Sequence, residues 1–336
     1  MYVCKSICKR LLAEGMDIDL VYLWVDGSDP VWQAKKNAFM YGASKVSCEA
    51  VSEARFVNSD ELKFSLRSVE KYAPWIRHIY IVTDNQVPSW LDLSNPRISI
   101  VDHTEIMPSS SLPTFSSPAI EWCLDNIPGL SEHFLYANDD TLIAQEVSPD
   151  FFFDAEGHPI VRLRKKTSGR RRTSIYLKTI AKAQDIIKQR FGKRVKYIPH
   201  HNIDAYRKSD FKVCKELFAK EVFETINRHV RSEEDLQRII ILYYVLVRGE
   251  GKMRLMGRYN KPMRLLDKIR FALRGVYHYE TRSINIGRGT DLLRVMNRYN
   301  PILFCLNDNE DASAADRLQA REFLERMFPS KSSFEI

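Results

Sequence analysis

Hydrophobic and polar positions fall into two regimes along this chain. In the first, short runs of β-formers stop abruptly at acids and amides. Asp17 to Val25 (DIDLVYLWV) is nearly continuous in β-formers and predicts a central strand that ends in Asp26-Gly27-Ser28-Asp29-Pro30. His78 to Asn85 and Arg97 to His103 predict two further strands with polar tips, and Phe134 to Asp140 (FLYANDD) a fourth. A buried strand cannot keep carboxylates in its middle. Asp139 and Asp140 are therefore expected at its carboxyl end, facing a crevice of the kind where open α/β sheets bind ligands. In the second regime apolar positions return at helical spacing. Leu62, Leu66, Val69 and Ala73 predict a helix that lays one stripe on a sheet and stops at Pro74. Asn58 or Ser59 is its expected cap, and Arg67, off the stripe, is expected to be free for a ligand.

The pattern changes after Asp150. Helices are predicted from Ser174 to Phe191, from Arg207 to Arg228, and from the Val230–Gln237 stretch to about Val247. Pro301 to Asn309 predicts a last buried strand, and Ala312 to Phe328 a closing helix capped by Asp311 or Ser313. Short strands alternating with helices predict an α/β fold with a mainly parallel, doubly wound, Rossmann-like sheet and helical additions. The expected organisation is one catalytic domain, with an α/β half at 1–153 and a helical half at 154–336 that returns the closing strand.

Composition narrows the class. Hydrophobic content of 44% and charged content of 28% suit a soluble globular protein. No apolar run approaches the roughly 18 residues that span a bilayer, and Met1 to Gly15 lacks the apolar core of a signal peptide. The cysteines at 4, 8, 48, 123, 214 and 305 form no Cys-x-x-Cys pair and suit a reducing cytosol. A net charge of +8 favours an anionic partner. The densest basic cluster, Arg162 to Arg172, has no interleaved aromatics, which weighs against nucleic acid. The glycine loops of nucleotide kinases and Rossmann dehydrogenases are missing, as is the nucleophile elbow of α/β-hydrolases.

The strand tips gather Asp26, Asp84, Asp102, His103, Asn138, Asp139 and Asp140 at one sheet edge. A metal and phosphate site explains that gathering, while turn chemistry explains two or three of its members equally well. Adjacent acids on an extended chain point to opposite sides, so Asp139 and Asp140 share a metal only if the chain turns there. His200 and His201, with Asn202 and Asp204 close by, supply either a general base or a metal ligand, against the plain alternative of a surface loop. Ser232 and Asp235 have the spacing of a capping box, which sets Arg231 just before a helix N-terminus, a position that favours anions.

Taken in order, these segments resemble the Stealth family, whose members include bacterial capsular polysaccharide phosphotransferases and the α/β subunit of the lysosomal-enzyme N-acetylglucosamine-1-phosphotransferase. Four blocks carry the resemblance: IDLVYLWVDGSDPVW at 18–32, Arg55 to about Phe153 with LPTFSSPAIE and LYANDD, HHNIDAY with RSEEDLQ at 200–237, and FCLNDN at 304–309. The resemblance implies a glycosyltransferase-like sheet. It implies transfer of a hexose 1-phosphate, expected to be N-acetylhexosamine, from a nucleotide-sugar to a glycan hydroxyl in capsule or surface polysaccharide synthesis. A nucleoside monophosphate leaves, and UDP-N-acetylglucosamine is the candidate donor. Mg²⁺ or Mn²⁺ is expected on Asp139 and Asp140, Arg231 on a phosphate oxygen, and His201 as the acceptor's base, so that His201, Arg231 and Asp139 form the catalytic set. Asp26, Arg67, Glu121, Asn138, Asp235, Asn307 and Asp308 are the expected substrate-binding residues. Anchors and lumenal inserts like those of the eukaryotic members are not expected in this chain. That implies the compact bacterial form, cytoplasmic and peripheral at the inner membrane or its capsule machinery. The competing readings are a conventional metal-dependent glycosyltransferase that releases a nucleoside diphosphate, and a non-catalytic glycan-binding module.

Overall fold

The computed structural model describes residues 15–42, 60–165, 174–256, 280–287, 289–308 and 312–336. Asn58, Ser59, Asp311, Cys4, Cys8, Cys48 and most of the basic cluster (166–172) lie outside the described residues. The first β-former run becomes β1 (Ile18–Leu23), the centre of a five-stranded sheet ordered β3-β2-β1-β4-β8. β2 (Ile79–Thr83), β3 (Ile98–Asp102) and β4 (His133–Asn138) run parallel to it. Leu23 pairs with Val82 and with Asn138, so the carboxyl ends of the three central strands finish level. β8 (Asp204–Arg207) adds an antiparallel edge on β4.

Past Asn138 the chain turns at Asp139-Asp140 and re-enters as β5 (Thr141–Ile143), which belongs to a second sheet, β10-β11-β5. There β11 (Leu303–Asn307) runs parallel to β10 (Thr281–Asn285) and antiparallel to β5. The two acids thus sit at the joint between sheets. A third sheet joins β6 (Ile160–Lys165), β7 (Tyr197–Pro199) and β9 (Lys252–Met256). Strand pairing crosses residue 153 in both directions, because β8 joins the main sheet and β5 the second one.

One face of the main sheet takes α2 (Glu61–Tyr72), after α1 (Pro30–Gly42), which Asp29 caps through Val31 N–H at 2.8 Å. The predicted stripe is buried: Leu62, Leu66, Val69 and Ala73 pack with Ile18, Leu20 and Tyr22. Tyr22 O–H donates to Ser65 Oγ at 2.7 Å, and Ser65 donates to the Thr141 carbonyl at 2.6 Å, tying α2 to the start of β5. After the single turns α3 (His103–Ile106) and α4 (Ser117–Glu121), the opposite face is covered by α5 (Ile175–Phe191), α6 (Lys208–Leu217), α7 (Ala219–Ile226) and α8 (Ile239–Arg248). α8 is apolar nearly all round and accordingly buried. α9 (Leu292–Tyr299) precedes β11, and α10 (Ala314–Met327) closes the described chain with a capping box from Ser313 and Asp316.

Two helix predictions need correction. The 207–228 helix is broken at Phe218, which leaves helical geometry to bury its ring in the core. The apolar helix starts at Ile239 rather than in the 230–237 stretch. The Ser232/Asp235 pair does form half a capping box, with Ser232 N–H on Asp235 Oδ2 at 2.7 Å. No helix follows, because the next peptide groups are taken elsewhere. Leu236 N–H bonds Thr225 Oγ1 at 2.8 Å and Leu236 C=O accepts from the Trp122 indole. Arg231 is therefore not at a helix N-terminus.

Candidate active site

The level strand ends open a cleft of about 750 Å³. Asn138, Asp139 and Asp140 line it from the joint between sheets, and Asn307 and Asp308 line it from the end of β11. His201 enters from the link between β7 and β8. Glu121 comes from α4, and Arg231 from the extended strap before α8. The strap lies against the 112–122 segment. Phe115 N–H bonds the His229 carbonyl at 2.6 Å, Phe115 bridges Val230 in parallel, and Arg231 donates to Ser117 Oγ. This docking brings two blocks more than a hundred residues apart in sequence to one wall.

Turning the chain at Asp139-Asp140 removes the alternation that would have parted the two carboxylates. Asp140 N–H donates to Asp139 Oδ1 at 3.1 Å, and the Asp140 carbonyl accepts from Leu306 N–H at 3.0 Å, which locks the turn to β11. Burial, then the neighbouring charges of Asp140 and Glu61, push the Asp139 carboxyl well above the usual carboxylate range. Glu61 lines the same cleft. Carboxylates crowded together in this way are a donor set for a hard divalent cation, which would remove the repulsion.

Behind this group lies a residue that the sequence reading missed. Arg238 is 9% exposed, with its guanidinium 3.8 Å from the centroid of the Tyr136 ring. It donates to Glu121 at 3.3 Å and to Asp204 at 3.4 Å. Burial works against its charge, but Glu121 and its other neighbours override that and hold it protonated. Tyr136 O–H reaches Glu121 at 3.2 Å and Asn138 Oδ1 at 2.9 Å, so the buried ionic network continues to the tip of β4. The available signal was a cation standing at the head of the run Ile239–Val247, where a plain core helix has no use for one. Cys305 was also missed as a site neighbour. Its thiol donates to Asp140 Oδ2 at 3.0 Å.

Three expected substrate-binding residues stand apart from the cleft lining. Asp26 accepts from Ser28 N–H at 2.9 Å and Ser28 O–H at 2.6 Å, closing a turn just past the lining residues Leu23, Trp24 and Val25. Arg67 is not free: it makes a two-pronged pair with Glu335 at 2.7 and 2.6 Å and donates to the Phe328 carbonyl at 2.8 Å. Asp235 is fully buried under Arg228 at 3.1 Å. The other two strand-tip acids have partners of their own, although Asp84 Oδ2 is buried without one. Asp102 caps α3, and Asp84, although in the cleft lining, pairs with Lys35 at 2.7 Å. His103 lines the cleft as well, and burial depresses its protonation despite Asp84 and Asp102. Both His200 and His201 line the cleft, but His200 is buried against Thr281, and burial and then Arg164 keep it neutral, whereas His201 is partly exposed.

Family models match three regions: Stealth protein conserved region 1 at residues 16–41, conserved region 2 at 55–161 and conserved region 4 at 296–336. The first, second and fourth blocks read from the sequence fall within them. The chain is 32% identical over 330 residues to a capsular polysaccharide phosphotransferase of Actinobacillus suis, covering 95% of this chain and 84% of that protein. It is 33% identical over 340 residues to an exopolysaccharide phosphotransferase of Streptomyces coelicolor, covering 98% of this chain and 54% of that protein. The chain thus spans little more than half of the Streptomyces protein's length. Among solved structures, the galactosyltransferase LgtC with donor and acceptor sugar analogs aligns with a TM-score of 0.43 at 12% identity, over 94% of this chain and 96% of that one.

Proposed function

The chain belongs to the Stealth family, and from that premise we propose that it transfers a sugar 1-phosphate from a nucleotide-sugar to a hydroxyl of an acceptor glycan. A nucleoside monophosphate leaves, and the product is a capsule or surface polysaccharide phosphodiester. The observation that carries this reading is the convergence of two acidic strand tips, His201 and Arg231 on one cleft. Phosphoryl transfer asks a protein for little beyond positioning and charge neutralisation, and this cleft offers both.

In the proposed step the acceptor oxygen attacks the phosphorus that bears the sugar. A new oxygen–phosphorus bond forms while the bond from that phosphorus to the bridging oxygen of the diphosphate breaks. The bridging oxygen leaves with the nucleoside monophosphate. The acceptor's proton passes to the His201 imidazole, the side-chain type that most often serves as a general base. Arg231 grips phosphate oxygens with its planar fork. Glu121, held by Arg238, and Asn138, Asn307 and Asp308 wall the donor and acceptor. Mg²⁺ or Mn²⁺, bound by Asp139 and Asp140 with Glu61 alongside, would neutralise the diphosphate. Proximity and alignment supply the rest of the rate. The expected setting is the cytoplasmic face of the membrane. Among the described residues no helix is long and apolar enough to cross it.

The test is a screen of nucleotide-sugars, with UDP-N-acetylglucosamine first, in the presence of Mg²⁺ and glycan acceptors. Monophosphate release that depends on acceptor supports the reading. Diphosphate release assigns the chain to conventional glycosyl transfer instead.

A further inference from the structure

Cys305 faces Thr141 across the antiparallel pairing of β11 with β5. That register sets its thiol beside the preceding residue, Asp140, at 3.0 Å. His201 completes the group: one ligand atom from each of Asp140, His201 and Cys305 lies within 4.8 Å of the other two. Sulfur, nitrogen and carboxylate oxygen at that spacing need only small side-chain adjustments to meet one ion at distances of about 2.0–2.3 Å. Mg²⁺ selects oxygen donors, and a set of mixed softness selects zinc-class ions. Cys305 is buried, whereas Asp140 and His201 are partly exposed and line the cleft. A fourth ligand position would therefore open on the cleft, the arrangement of three protein ligands and one exchangeable site.

We propose that Asp140, His201 and Cys305 form a Zn²⁺ site that switches the cleft off. Zinc there ties up both His201 and Asp140, so it competes with the working cation and with proton transfer. Binding of the ion is independent of the proposed reaction. The inhibition rests on it.

The experiment titrates the full chain with Cd²⁺ alone in Mg²⁺ buffer, following the ultraviolet thiolate-to-cadmium band, and then measures Zn²⁺ affinity by competition with a chromogenic chelator. In the wild type the band is expected to saturate at a single equivalent. Cys305→Ser, checked for a native melt, loses that band and binds Zn²⁺ at least about tenfold more weakly. His201→Ala keeps the thiol and loses affinity by a similar factor, and it decides the matter alone if Cys305→Ser does not fold. A band unchanged in Cys305→Ser, affinity unchanged in His201→Ala, or no band in the wild type overturns the site. In the turnover assay Zn²⁺ should inhibit the wild type at concentrations that spare Cys305→Ser, and equal inhibition of both overturns the switch. If Cd²⁺ binds as described but no nucleotide-sugar is turned over, the functional reading fails and the ion site stands.

Discussion

Asp204→Asn probes the buried network behind the cleft. Asp204 is 8% exposed at the start of β8, and burial pushes its carboxyl up to about 7, with Arg238 and Arg162 offsetting only part of the effect. The native pKa lies above the ordinary carboxylate value, so the native state holds this proton more tightly than the unfolded chain. The associated stability is complete below about pH 4 and is lost as pH rises through about 7. From about pH 5 to about pH 8 the loss comes to about 3 kcal/mol, at about 1.4 kcal/mol per pH unit of differential binding. Asparagine keeps the shape and carries no proton to lose. Urea unfolding of both proteins at both pH values gives the result as a difference, in which His103 and His200 titrations common to both proteins cancel. The variant should gain on the wild type by about 3 kcal/mol between the acidic and alkaline measurements. A flat difference, or one of opposite sign, would show that Arg238 keeps Asp204 ionised throughout, refuting the claim that burial dominates.

Other substitutions separate structural from working residues. Arg67→Met leaves Glu335, whose side chain is 2% exposed, without its partner. It should cost about 3–5 kcal/mol in chemical denaturation and leave nucleotide-sugar affinity by calorimetry unchanged. His201→Ala should lower kcat by about 10²-fold or more with a donor KM near that of the wild type. Equal turnover removes it as the base. Arg231→Lys keeps the charge and loses the fork, so kcat/KM should fall, and an unchanged value would reduce Arg231 to a partner of Ser117.

Strand tips were readable because burial disfavours an unpaired carboxylate inside a strand, Asp19 within β1 being held by Arg77, and that rule placed Asn138, Asp139, Asp140, Asn307 and Asp308 at the cleft. The same rule overcounted. Asp26 and Asp102 satisfy a local turn and a helix cap, and nothing in a run of residues tells a capping acid from a ligand. Periodicity found the stripe of α2 but not the fate of Arg67. Its partner Glu335 is 268 residues away, and only the folded C-terminal segment brings it there. The helix expected from Val230 failed for a similar reason. Thr225 and Trp122 capture the Leu236 peptide groups through contacts that no local pattern encodes. Arg238 and Cys305 went unnoticed because their meaning depends on Glu121, Asp204 and Asp140, each supplied by a different element.

The most direct test of phosphoryl transfer follows one oxygen atom. A nucleotide-sugar carrying a heavy isotope in the oxygen between the anomeric carbon and phosphorus is turned over, and the products are weighed by mass spectrometry. Attack at phosphorus leaves that carbon–oxygen bond intact, so the label should reside in the new phosphodiester, with an unlabelled nucleoside monophosphate released. Label recovered in a nucleoside diphosphate, with none in the glycan, would mean that the anomeric carbon is the atom attacked.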